Sequence, residues 1–259
     1  MTVTKRRTIH AEGGTLHQPA THRLWLGTAG WNVPSSCRER IGGQGSHLER
    51  YSQVLPAAEI DTSFYRPHRK ATYERWARTT PDGFRFAVKV PKAISHVAEP
   101  QLADTKDFVE GATGLADKLA VFLVQFPPSR SYTEKSASLL FDMLQATTSV
   151  SIVCEPRHPS WFTDQVDQWL SERRISRVAA DPPRAERADK PGGWLGLRYI
   201  RLHGSPRVYY SAYEAAFLHK LEEQLTAMLA KSDVWCIFDN TARGAAMENA
   251  LALRTPGLL

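Results

Sequence analysis

The chain has 259 residues, 42% of them hydrophobic, so it is long enough to bury a large core, and a β/α barrel of about 250 residues needs only one domain. The net charge of +6 suggests a nucleic-acid surface, but residues 1–23 hold Lys5, Arg6, Arg7 and Arg23 against Glu12, which leaves only +3 on the rest. No stretch has the roughly 18 consecutive apolar residues of a membrane span, and Cys37, Cys154 and Cys236 are odd in number and widely spaced, which argues against a disulfide framework or a zinc knuckle.

Residues 1–22 are polar, contain glycine and lack a hydrophobic signal region, so they read as a flexible extension before a domain over 23–259. From there, β-branched or aromatic runs alternate with segments of helical period. Strands are expected near 23–28, 57–64, 84–90, 120–126, 151–156, 176–181, 199–204 and 234–240. Between them lie helical stretches such as "ATYERWARTT", "SASLLFDMLQATT" and "TDQVDQWLSERR". The alternation is the mark of an α/β fold. Eight parallel units predict a single TIM-type (β/α)8 barrel, and no Gly-x-Gly-x-x-Gly follows the first strand to suggest a dinucleotide fold. The sixth unit has "PPRAERADKPGGWLG" (182–196) in place of a helix and predicts an irregular connection after strand six. Cys154 and Cys236, inside apolar runs, read as small buried hydrophobes, and a reducing cytoplasmic compartment is the expectation.

Several motifs carry a resemblance. "GTAGW" (27–31), "EIDTSFYRPH" (59–68), "FRFAVKVPKAISH" (84–96), "LVQFPPS" (123–129), "EPRHPSW" (155–161), "RLHG" (201–204) with "YYSAY" (209–213), and "FDNT" (238–241) stand in the order found in the YecE-like family, the domain of unknown function 72. The chain resembles that family over residues 24–255, which implies a TIM-type barrel and names no reaction. It departs at Pro156, where many members have phenylalanine, and in "NVPSSCRERIGG" after the first strand, where many have an aromatic-rich segment.

Barrel ligands bind at the carboxyl ends of the strands, and residues two apart share a face. Alternation therefore aligns Glu59 with Asp61, Glu155 with Arg157 and Arg201 with His203, and brings in Lys89, Gln125 and Asp239, with Asp181 as a further candidate. A self-satisfied ion-pair network is the structural alternative. Arg157 has a fork suited to a carboxylate or phosphate, with Glu155 to orient it or to exchange protons. Trp161 presents a face for a base or sugar, or packs in the core; His158, ahead of Pro159, reads as a turn residue or a ligand contact; His96 follows its strand more closely. Tyr65, and the Tyr209, Tyr210 and Tyr213 cluster, line a groove or pack a loop. "HGSPR" (203–207) and "NTARG" (240–244), with Asn240, follow the last two strands, where barrels hold phosphate.

The expectation is an enzyme acting on a phosphate- or carboxylate-bearing substrate. Glu59, Glu155, His203 and Asp239 supply acid and base, while Arg157 and Arg201 hold the anion; phosphoester hydrolysis is the first reaction to test. A lyase or aldolase using Lys89 as an imine nucleophile is the second enzyme alternative, set against the plainer reading in which that lysine pairs with a carboxylate such as Glu59. A non-catalytic binder of nucleic acid or a phosphorylated metabolite is the third. A divalent metal is a candidate cofactor without a short-range ligand motif. Because residues 1–22 lack apolar periodicity, their removal should leave the melting temperature nearly unchanged in a thermal denaturation experiment, and a large fall would show that they dock.

Overall fold

A computed structural model describes residues 22–254, so the expectation for residues 1–22 falls almost wholly outside the described residues. Strands β1 (Leu24–Ala29), β2 (Ala57–Ile60), β3 (Arg85–Lys89), β4 (Leu119–Gln125) and β5 (Ser151–Glu155) pair in parallel, each with the next. Strands β6 (Ile175–Arg177) and β7 (Ala179–Asp181) follow, then β8 (Gly192–Gly193), β9 (Leu197–Leu202) and β10 (Asp233–Phe238). The ring closes because β10 pairs with both β9 and β1.

Ten strands stand where eight were expected: a break in the sixth stave accounts for one of the two extra strands and the short β8 for the other. The stave breaks at Val178: its first half, β6, bonds to β5, and its second half, β7, bonds to β9. One stave thus bridges two neighbours that do not pair with each other. The short β8 adds to β6 in antiparallel fashion, an exception to the expected parallel sheet. Strand β2 ends at Ile60 rather than continuing to residue 64. A 3-10 turn over Thr62–Phe64 takes over, and the buried Ser63 hydroxyl donates to the carbonyls of Ile60 (2.9 Å) and Lys89 (2.6 Å).

Helices α1 (Arg38–Ile41), α2 (His47–Ser52), α3 (Lys70–Thr79), α4 (Lys92–Ser95), α5 (Leu102–Ala112), α6 (Glu134–Thr147), α7 (Asp164–Glu172), α8 (Ala215–Leu229) and α9 (Ala245–Leu253) surround the ring. Their starts follow local chemistry. Ser46 and Glu49 form a reciprocal capping box on α2, while Thr133 and Thr163 accept backbone N–H groups at the starts of α6 and α7.

No α-helix lies between β7 and β9, as the Pro/Gly-rich sequence predicts. Arg177 takes over the task of holding that connection. Its buried guanidinium donates to both Asp167 oxygens (2.7 and 2.9 Å) and to the carbonyls of Arg187 and Lys190 (3.3 Å each), tying α7 to the 182–196 segment. Residues of this kind are invisible to apolar periodicity.

The core has two parts. Outward-facing strand residues pack against helices in a large layer that includes Leu26, Phe86, Phe122, Cys154 and Cys236; the last two are buried, as expected. A smaller cluster, with Ala57, Val121, Leu123, Val153, Tyr199 and Trp235, fills the barrel itself. Tyr199 lies flat on Trp235, centroids 5.7 Å apart and planes 7° apart, and forms the floor on which the mouth is built.

Close approach of β1 to β2 demands glycine at position 27, where a Cβ would overlap the Ala57 carbonyl and press on the Tyr51 hydroxyl. Backbone, unlike a flexible side chain, cannot step aside. Gly27→Ala should therefore lower the unfolding free energy by more than about 2 kcal/mol, whereas Gly83→Ala, whose Cβ would meet open space, should be nearly neutral; urea denaturation midpoints compare the two.

Candidate functional site at the barrel mouth

Strand alternation stacks the interior in layers, and the uppermost is charged. Glu59 ends β2 save for one residue, Lys89 ends β3, Gln125 ends β4, Glu155 ends β5, and Arg201 is the penultimate residue of β9. His203 and Asp239 lie just beyond β9 and β10. All seven are buried and converge on one space.

Arg201 is the hub. Its Nη2 meets Glu59 Oε1 at 2.7 Å and Asp239 Oδ2 at 3.1 Å, its Nε meets Glu59 Oε2 at 3.1 Å, and its Nη1 meets Glu155 Oε2 at 2.5 Å. Four of its five N–H groups meet three carboxylates and the guanidinium is fully buried, so where the expectation had Arg201 hold a substrate anion, the structure turns it onto the carboxylates. Tyr199 completes Glu59 from below, with its hydroxyl donating at 2.8 Å.

Lys89 pairs with Asp61 at 2.7 Å rather than with Glu59, because Glu59 is already taken by Arg201 and Tyr199. Gln125 donates to Glu155 at 3.1 Å, and Arg157 meets the same carboxylate at 3.1 Å through Nε and Nη2. His203 sits between two acids, Nδ1 at 2.9 Å from Asp239 and Nε2 at 3.3 Å from Glu155. Solvent reaches the cluster mainly through Asp61, whose side chain is 34% exposed, and Arg157, 17% exposed.

Electrostatics pull these groups apart. Burial raises the Glu59 carboxyl, and Arg201 does not restore it. Burial also opposes charge on Glu155 and Asp239, yet Arg201 and His203 outweigh it, holding Glu155 well below, and Asp239 below, the usual carboxylate range. For His203, burial is overcome by Glu155 and Asp239, and the imidazole is raised above its ordinary value. Burial likewise opposes the Arg157 charge, but Glu155 and the Tyr209 hydroxyl raise it. One carboxyl inclined to keep a proton thus faces two inclined to release theirs, with an imidazole between the latter whose charged form is favoured.

Other candidates sit elsewhere. Trp161 is buried, stacked on Phe126 at 4.8 Å with its indole N–H on the Arg130 carbonyl, so it packs the core and offers no face to a ligand. His158 caps the short turn over Pro159–Trp161, accepting from the Ser160 N–H. The Asn240 amide donates to the Ser211 carbonyl and to Asn249, and Ala242 N–H donates to the Tyr209 carbonyl, so the 240–244 loop is tied to the 209–211 segment that follows 203–207. Asp181 accepts from Tyr213 at 2.7 Å, away from the Arg201 cluster. Tyr65 is 73% exposed at the rim, with Lys92 over its ring. His96 packs edge-on against Phe64; burial and the nearby Lys89, Arg157, Arg130 and Lys92 push it down to about 4.

Two groups escaped the sequence reading, Tyr199 and the aromatic cavity wall, and a third, Tyr209, was expected only as a groove or loop residue. Tyr199 and Tyr209 are each a hydroxyl beside the charge cluster, and Trp31, His68 and Trp76 line a cavity of about 640 Å³ that reaches Asp61 and Asp239. "GTAGW" held the only local signal for Trp31: Gly30, at a φ of 76°, turns the chain at the end of β1. Among the described residues no group of three or more His, Cys, Asp or Glu side chains could hold a metal ion. The carboxylates a divalent ion would need are turned toward the Arg201 guanidinium, so the donor set does not fit a metal.

The family described as "Protein of unknown function DUF72" matches residues 25–256. The chain belongs to the DUF72 family. A curated relative, "UPF0759 protein YunF" of Bacillus subtilis (strain 168), is 24% identical over 265 residues, covering 87% of this chain and 92% of its own length. The DUF72 fold is seen in a crystal structure from Enterococcus faecalis V583 with a TM-score of 0.76, 26% identity, and coverage of 89% of this chain and 94% of that one. A DUF72 structure from Thermotoga maritima MSB8 gives a TM-score of 0.73 at 23% identity, covering 90% and 98%. No helix among the described residues of this DUF72 chain is long and apolar enough to cross a membrane.

The shifts fix the sign of a pH response. His203 is raised above 6.5, so its contribution to stability is complete below that value and is lost as pH rises through the folded value. Glu155 and Asp239 are depressed, so theirs is present above 4.5 and 3.8 and is lost as pH falls through the folded values. Melting temperatures measured from about pH 5 to pH 9 should decline on the alkaline side in the parent, and His203→Asn should flatten that limb while lowering stability near pH 6.

Proposed function

We propose that the chain is an enzyme performing acid–base chemistry at the barrel mouth on a substrate that bears an anionic group, with phosphoester hydrolysis the first reaction to test. The observation that carries this is His203: Asp239 fixes its Nδ1, and its Nε2 lacks a well-aligned hydrogen bond while facing Glu155 at 3.3 Å. An imidazole held in one orientation, its charged form favoured and its Nε2 only loosely engaged by Glu155, is suited to act as a general acid.

In this scheme Arg157, which keeps some exposure despite its contact with Glu155, anchors the anion. Water attacks phosphorus and loses a proton to Asp61, the most accessible carboxylate of the cluster, as the phosphorus–oxygen ester bond breaks. The leaving oxygen takes the Nε2 proton of His203, giving an alcohol and phosphate, and solvent returns the proton from Asp61 to His203. Glu59, Glu155 and Arg201 set the field and the geometry. Lys89 is committed to Asp61 and lies over the Phe64 ring at 4.4 Å, so nothing favours an imine at that residue. A nucleic-acid binder draws support from exposed Tyr210, flanked by the guanidiniums of Arg207 at 4.0 Å and Arg243 at 5.8 Å.

The test is turnover of p-nitrophenyl phosphate and its bis-ester. His203→Asn should lower kcat by about 100-fold or more, and Arg157→Ala should raise KM about ten-fold with a smaller change in kcat. Phosphate at about 100 times its dissociation constant should stabilise the parent by about 2.7 kcal/mol, and Arg157→Ala should lose that response. Absence of turnover together with an unmoved melting curve overturns the proposal.

A further inference from the structure

The mouth is divided. Its basic side holds Arg157, with Arg130 and Lys92 near His96, while Lys89 reaches across to Asp61 at 2.7 Å. On the other side, at the ends of β1, β2 and β10, lies the cavity of about 640 Å³ bounded by Trp31, Trp76, His68, Thr62, Asp61 and Asp239, with no lysine or arginine in its lining.

An anion placed in this cavity would face two carboxylates and no lining cation, so the cavity is not a second anion site. Carboxylates accept hydrogen bonds and, when ionised, donate none; a ligand there must bring donors. Thr62 and His68, paired at 2.8 Å, can both donate and accept. The walls are aromatic and set in place: Trp31 meets Trp76 at 4.9 Å and 75°, and Trp76 meets His68 at 4.9 Å and 76°. Trp31 is braced from behind by Phe86 at 6.0 Å. Indoles set edge to face form a corner rather than two parallel plates. That shape suits a puckered ring whose C–H face lies on one wall while its hydroxyls point at the acids, and it does not sandwich a flat base.

We infer that this cavity is the subsite for a polyhydroxylated ring, and that the substrate is a sugar phosphate with its ring in the corner made by Trp31 and Trp76 and its phosphate toward Arg157. The inference rests on the proposed anion-bearing substrate and extends it. Its area of contact lies on the aromatic walls; its selectivity lies in Asp239 and the Thr62–His68 pair, which can accept from sugar hydroxyls.

Titration calorimetry and saturation-transfer NMR on the full chain test it with a panel of aldopentoses, aldohexoses and ketohexoses, their terminal phosphates, phenyl phosphate and inorganic phosphate. At least one sugar phosphate should bind about ten-fold or more tightly than phenyl phosphate and perturb indole fluorescence. Trp31→Ala should remove that advantage and leave inorganic phosphate binding unchanged. Thr62→Val, at an exposed position, should weaken the same sugar phosphate several-fold and serves if Trp31→Ala fails to fold. Sugar phosphates no better than phenyl phosphate, no binding by any panel member, or indifference to Thr62→Val overturns the subsite. Unphosphorylated sugars that bind with full dependence on Trp31, and with none on Arg157, would instead overturn the anion-bearing substrate and leave the polyol subsite standing.

Discussion

A fully buried guanidinium governs the upper half of this barrel. Taking a charge out of water costs several kcal/mol unless its donors are matched, and Arg201 is matched by Glu59 from β2, Glu155 from β5 and Asp239 from beyond β10. Those acids lie on different parts of the ring, so one side chain fixes the separation of strands that do not touch one another. A lysine has the charge but not the planar fork of N–H groups that serves three carboxylates at once. Each further contact follows from this one. Glu59 is consumed, so Lys89 turns to Asp61; Glu155 has an oxygen left for Arg157, Gln125 and His203; Asp239 meets His203 with the same Oδ2 that accepts from Arg201.

The same hub accounts for the spread of acidity. Four carboxylates surround three permanent cations and one imidazole, and the groups differ in how far they share Arg201 and how much water they see. Glu59, with no water at all, is pushed toward the protonated form, while Glu155, close to Arg201, His203 and Arg157, is pulled the other way. Replacing such a network with apolar side chains is often neutral or stabilising, so its presence at the carboxyl ends of the strands is not explained by stability alone.

Away from the mouth, Arg177 shows the same physics put to a structural use. Where the sixth helix is missing, an arginine buried against Asp167 and over the Phe162 ring at 4.7 Å anchors the loop that replaces it. Gly192, paired beside it in β8, has no room for a Cβ because the Arg177 guanidinium and Asp167 carboxylate fill that space. The break of the sixth stave at Val178 and the ion pair belong together: the stave feeds β5 with one half and β9 with the other, and the loop covers the gap.

The sequence by itself determined the barrel and the membership of its charged layer. Both depend on local periods: alternation of apolar runs with helical segments marks the staves, and a period of two, counted to the strand ends, brings Glu59, Lys89, Gln125, Glu155, Arg201, His203 and Asp239 to one face. Partners were not legible, because partner choice is settled across the ring. Asp61 shares the face with Glu59, yet which of them takes Lys89 depends on where the β9 arginine reaches. Trp161 and Trp31 look alike in sequence, each beside a polar motif after a strand. Only the fold turns one indole onto Phe126 and the Arg130 carbonyl and leaves the other on a cavity wall made by α3. Periodicity is written along the chain, whereas enclosure is made by segments distant in sequence, so the tertiary structure alone decided which polar ends became a hub and which aromatic rings became a pocket.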